Sequence, residues 1–283
     1  MMNYVWLRLK VNKLAMSGLV LIVIFSVMAF AGTEISGFEY FEQNYSMINA
    51  HPDRVHWFGT DELGRDLFTR TWFGVRYSLL IGVMAAFIDF FIGVLYGGFA
   101  GISGRKTDFI LMRIAEVIYS IPYLLVVILI SVVFSQAGQG SSMFILILSL
   151  SLTSWVPMAI LVRGQVLQLK ESGYALASES LGAGKGWILR KHIIPNTLGP
   201  ILVNVTLEIP RAIFAEATLG FLGLGLQAPK SSLGTLANSG LAGIAVGNAY
   251  QLFVPAIFIS LIMFAFNVLG DGLRDALDPR LRK

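Results

Sequence analysis

Five ionisable residues lie inside or at the edge of long apolar runs: Asp89, Glu116, Glu208, Arg211 and Glu216. A charge at bilayer depth is costly, so each is a candidate for function. Glu208 and Arg211 are three residues apart, share a helix face and can pair. Such a face suits either a wet path for a cargo with charged ends or a structural ion pair. Glu216 follows in the same run, and Pro210 bends it. Glu116 and Asp89 can also be read as lying near a membrane edge. No catalytic set emerges: no Ser/His, paired-carboxylate or zinc-ligand constellation stands out. His51, His56 and His192 do not converge at metal-ligand spacing, so no metal site is assigned. The absence of cysteine excludes disulfides, thiolate ligands and a Cys nucleophile. The run Gly182-Ala-Gly-Lys-Gly186 looks like part of a phosphate-binding loop. That motif requires Ser or Thr after Gly-Lys and a glycine five positions before it; here Gly186 and Glu179 stand there. Nucleotide binding by this chain is not expected.

The elements that carry these residues are apolar. The chain has 283 residues, 55% hydrophobic and 13% charged, with a mean hydropathy of +0.72. Soluble domains carry about 25% charged residues. A soluble enzyme or a nucleic-acid binder is thereby excluded. Apolar runs cover residues 14–31, 78–100, 114–134, 143–162, 201–224 and 251–269, each near the length that crosses a bilayer. The expected fold is all-α and polytopic, with about six transmembrane helices. The first run is long for a signal peptide and ends in a poor cleavage site, so it is read as a retained span. Pro122 and Pro157 are expected to kink their helices.

Basic residues set the orientation. With the N-terminus in the cytoplasm, Arg8, Lys10, Lys13, Arg105, Lys106 and Arg113 lie inside. So do the basic residues between Arg163 and Lys191 and those from Arg274 to Lys283, against Arg54, Arg65, Arg70, Arg76 and Lys230 outside. That bias follows the positive-inside rule and places both termini in the cytoplasm. Residues 1–31 form the cytoplasmic N-terminus and first span, 32–77 an external loop, and 78–283 a core of five spans with a cytoplasmic loop at 164–200. A second long external segment, 225–250, is rich in Gly, Ala and Ser. Gly93, Gly97 and Gly101 recur every fourth residue, a stripe suited to close helix packing. Asp61, Glu62, Gly64, Arg65 and Asp66 form a dense external segment of mixed sign. It could meet an external partner, but local opposite charges favour bracing the bundle.

Within the cytoplasmic loop, residues 174–181 are fair to good helix formers, and Gly182 and Gly184 stop them. An apolar pattern resumes at Ile188, Leu189 and Ile193 and is broken by Pro195. Small residues (Ala175, Ala177, Ser178, Ala183) on or beside this short helix would admit a close partner, although a plain structured loop reads equally well.

At this loop the sequence resembles the membrane subunits of bacterial ABC importers. Their signature is Glu-Ala-Ala, three residues, Gly, then an apolar stretch ending in Pro. Gly182 and Pro195 anchor it here, Ala177 matches, and Leu176 stands in place of the glutamate. His192-Ile-Ile-Pro-Asn196 fits its close. Phe58-Gly-Thr-Asp-Glu-Leu-Gly-Arg-Asp66, Val162-Arg-Gly-Gln165, Phe221-Leu-Gly-Leu-Gly225 and Gly270-Asp-Gly-Leu-Arg-Asp-Ala-Leu-Asp-Pro279 resemble the C-type oligopeptide and dipeptide permeases.

The resemblance implies a type I importer permease fold in the bacterial inner membrane. It implies a non-catalytic subunit paired with a second permease, two ATPases that bind ATP and Mg, and an external peptide-binding protein. Tyr174, Ala177, Ser178, Glu179, Gly182 and Ala183 would then dock on an ATPase. Nickel- or glutathione-like cargo is compatible with the same scaffold. An ion-coupled secondary transporter relaying through Asp89, Glu208 and Arg211 is the alternative class. Six spans without a visible inverted repeat count against it.

Overall fold

The computed structural model describes residues 2–136 and 142–277. Among them there is no strand, only helices and a single antiparallel bridge between Thr60 and Asp66. Five helices are long and apolar enough to cross a membrane, six when a bent pair is counted as one. α1 (Met2–Val11) precedes the first span, α2 (Lys13–Ile35); Asn12 separates them and caps α2 by accepting from the Ala15 N–H. α3 (Leu67–Ile102) is capped by Asp66, whose carboxylate accepts from the Thr69 N–H at 2.8 Å.

The run at 114–134 is not one straight span. It is split into α4 (Arg105–Ser120) and α5 (Tyr123–Gln136), bent by 78° at Pro122. Proline cannot donate its ladder hydrogen bond, and it pushes the preceding residue out of the helical region; Ile121 sits at ψ 123. α6 (Ser142–Leu169), by contrast, continues through Pro157.

The short α7 (Gly173–Ser180) follows, then α8 (Lys185–Ile188), a π turn (Leu189–Ile193) and α9 (Ile194–Phe221). Pro195 opens α9 rather than ending a helix, since a first-turn proline loses no intrahelical bond. α10 (Leu233–Ala245) lies within the expected 225–250 loop, capped by a reciprocal Ser232–Thr235 pair. α11 (Tyr250–Leu277) is the last span. The expected cytoplasmic Arg280, Arg282 and Lys283, and Asp278 and Pro279 of the terminal motif, lie outside the described residues.

Two large apolar clusters position the site. Phe25, Trp72, Ile213 and Phe266 join α2, α3, α9 and α11. Met158, Val162, Val166, Ala175, Ile188 and Ile201 join α6 to α7, α8 and α9.

The tightest join is α3 against α6, along the glycine stripe. A Cβ on Gly93 would fall 2.5 Å from Met158 Cγ, and one on Gly101 2.7 Å from Val166 Cβ. At Gly97 it would strike the Ala159 carbonyl oxygen. The stripe is a packing seam, because only glycine lets these backbones approach.

The charged segment at 61–66 is an internal brace. Asp61 accepts from Arg65 Nε at 2.7 Å and pairs with Arg70 at 3.3 Å, and His56 Nδ1 lies 2.9 Å from Asp66. Tyr250 and Gln251 donate to the Thr60 carbonyl, locking the segment to α11.

Candidate functional site: a cytoplasmic helix and a buried polar seam

α7 is a largely exposed short helix, and its turn is built locally. Leu181 leaves the helix and Gly182 adopts φ +88, a region open to glycine. The Gly182 N–H then donates to the Glu179 carbonyl at 2.9 Å, and the Ala183 N–H to the Ser178 carbonyl at 3.0 Å. These two bonds make a Schellman stop. Ser178 Oγ donates to the Tyr174 carbonyl at 2.8 Å and lies 3.2 Å from His192 Nε2. The His192 ring packs on Trp187 at 4.9 Å.

Only Ala175 of α7 is buried, and it faces this chain's own core instead of an incoming partner. Tyr174, Leu176, Ala177, Glu179 and Gly182 are exposed, and Ser178 and Ala183 half-buried. Leu181 is 90% exposed and Trp187 49%. Ser178, Leu181, Gly182, Ala183 and Trp187 line an open depression of about 440 Å³.

Beside the glycine stripe stands a strut that the sequence reading did not find. Arg163 of α6 grips Asp108 of α4 with two bonds, Nε at 2.5 Å and Nη2 at 2.7 Å. Lys170 Nζ donates to the Gly101 carbonyl at 3.3 Å. Arg163 belongs to the Val162–Gln165 motif, but its partner lies 55 residues away, beyond any local spacing signal.

The acids of the spans separate into two groups. Glu208 is buried, and Arg211 donates to it at 3.3 Å from a side chain 63% exposed. Asp89 of α3 accepts from Ser154 Oγ at 2.8 Å, and Glu208 lies within its electrostatic range. Glu216 is apart, two turns or about 12 Å further along α9. Fully buried, it accepts from Ser78 Oγ at 2.8 Å, and Ser78 also accepts from the Leu233 N–H. Glu216 therefore knots α3, α9 and α10 together inside the chain. Glu116 is exposed and paired with Arg113 at 2.7 Å. No group of three His, Asp or Glu among the described residues could hold a metal ion.

A bundle of long apolar helices with buried acids and an exposed short helix beside them defines a multi-pass membrane protein. The family described as binding-protein-dependent transport system inner membrane component matches residues 93–283. A second family, described as the N-terminal TM domain of oligopeptide transport permease C, matches residues 1–52. The chain is 55% identical to the dipeptide transport system permease protein DppC of Bacillus subtilis (strain 168), over 98% of this chain and 85% of the relative. It is 50% identical to the oligopeptide transport system permease protein OppC of the same organism, over 98% and 89%. A chain of the inward-facing MetNI methionine ABC transporter superposes with a TM-score of 0.60 at 21% identity, covering 72% of this chain and 94% of that one. This likeness shows the fold, that of a type I ABC importer permease. The chain belongs to the family of binding-protein-dependent transport system inner membrane components.

Proposed function

We propose that this chain is the C-type permease of an ATP-driven importer of short peptides. It forms half of the translocation path beside a second, homologous permease. Two ATPase subunits hold ATP and Mg and hydrolyse the nucleotide, and an external binding protein delivers the peptide. Both termini lie in the cytoplasm of a bacterial cell whose inner membrane holds the complex. The names of the dipeptide and oligopeptide relatives support the cargo class.

The observation that carries the coupling role is α7 and the turn after it: Leu176 is exposed on the helix, and Leu181 and Trp187 beyond it are exposed beside clear space. An ATPase groove would cover these side chains. Closure of the ATPases would push α7, and the cluster around Ala175 would pass the push to α6 and α9. Packed interfaces switch between discrete arrangements, so a small push reorients the spans.

Glu208 and Arg211 line the path in this reading. Arg211 is exposed at bilayer depth, where a cation faces water or a partner and not lipid. Peptide uptake and ATP hydrolysis by the assembled complex test this with Glu208→Ala and Arg211→Ala. Uptake should fall at normal expression, and unchanged uptake would sink the path assignment.

A further inference from the structure

We propose that the corner between α1 and α2 binds an anionic phospholipid of the cytoplasmic leaflet. This rests on the cytoplasmic placement of the N-terminus given above. α1 is held to the bundle by Leu9, which is buried against the bare backbone of Gly272 on α11. Its other side is uncovered: Trp6, Leu7 and Val11 are all exposed, Val11 by 81%. These side chains continue onto the outward face of α2, where Leu14, Val20 and Val23 are also exposed. α2 is a membrane span, so the uncovered surface of α1 extends a lipid-facing one.

The charge at this corner suits anionic headgroups. Arg8, Lys10 and Lys13 bracket the helix break at Asn12. Lys10 Nζ sits 5.1 Å from the centre of the Trp6 ring, an aromatic–cation pair suited to the membrane interface. Between α1 and α11 lies an open, largely apolar depression of about 550 Å³, lined in part by Leu7, Val11, Gly272 and Ala276. It can take the upper part of an acyl chain. Arg8, Asn12 and Asp275 also line it, and the Asp275 carboxylate puts the phosphate on the side of Lys10 and Lys13. Basic residues next to a span attract acidic lipid at about 1 kcal/mol each, roughly fivefold per charge.

The chain has no cysteine, so single labels are clean. Leu7→Cys and, as a second position, Val11→Cys would carry an environment-sensitive fluorophore in the assembled complex in phosphatidylcholine vesicles. Spin-labelled phosphatidylglycerol should quench either label several-fold more than spin-labelled phosphatidylcholine at equal mole fraction. Lys10→Gln with Lys13→Gln should remove that preference. Three results would overturn the proposal: equal quenching by the two lipids, exposure to an aqueous quencher as great as at Val55→Cys in the external segment, or shielding only when ATPase subunits are present. A membrane-impermeant maleimide on intact cells tests the orientation separately. Reaction at Leu7→Cys before permeabilisation would place the N-terminus outside, and no reaction would keep it inside.

Discussion

The α3–α6 seam and the α7 corner both rely on glycine, for opposite reasons. In the seam, Gly93, Gly97 and Gly101 remove volume so that two backbones touch. At the corner, a Cβ on Gly173, Gly182, Gly184 or Gly186 would meet nothing within 4 Å. There glycine supplies a turn and leaves room. The seam is complete within the chain; the corner leaves Leu176 and Leu181 largely uncovered. One region is filled and the other open, and residue type alone does not separate them.

The largest expected effect breaks the seam. Gly97→Leu would drive a side chain into the Ala159 backbone, which cannot give way as a flexible side chain can. A loss of at least about 3 kcal/mol is expected, and with it most of the folded protein. Gly184→Ala should change stability by less than about 0.5 kcal/mol, because its backbone is ordinary and its surroundings open. Thermal unfolding of the purified complex, followed by size-exclusion chromatography, checks both. Equal losses would erase the contrast.

A middling effect is expected at the strut between α4 and α6. Asp108→Asn removes the charge that Arg163 grips and should cost about 1–2 kcal/mol. It should also lower uptake per ATP hydrolysed, since α4 would no longer follow α6. Exchanging the pair, Asp108→Arg with Arg163→Asp, should recover part of the coupling. Full uptake in the single variant would show that the strut transmits nothing.

The sequence reading reached five of the spans because a bilayer sets a minimum length for an apolar run; the run at 114–134 reads as one kinked span, not as two helices bent by 78°. It reached α7 because a helix stop is written locally, in Gly182 and the formers before it. The glycine stripe was legible for the same reason, through its period of four. What the sequence left hidden is non-local. Asp108 and Arg163, Asp89 and Ser154, and Glu216 and Ser78 are 55 or more residues apart and meet only through helix packing. α10 escaped because its Gly, Ala and Ser composition resembles a loop; Ser232, three residues before Thr235, was the signal available. Pro122 and Pro157 look alike in sequence, yet only the first breaks its helix.

The smallest effect lies outside both regions, in the external segment. The His56 N–H and then the Val55 N–H donate to Asp53 and hold its carboxyl below the ordinary value of 3.8. A depressed folded value stabilises the fold above pH 3.8 and is lost as pH falls below it. Asp53→Asn should therefore lower the unfolding temperature slightly at pH 7 and not at low pH. A gap that persists in acid would assign the effect to something other than this titration.

In the proposed function, α7 is the point where ATP hydrolysis meets transport. Its most direct test is Gly182→Trp in proteoliposomes holding the whole complex, with ATP hydrolysis and peptide uptake measured on one sample. Tryptophan at φ +88 strains the stop and fills the clear space beside it. The predicted result is normal membrane insertion, persistent ATP hydrolysis and at least about a tenfold loss of uptake per ATP, a coupling change of about 1.4 kcal/mol. Normal coupled uptake by this variant would contradict the account.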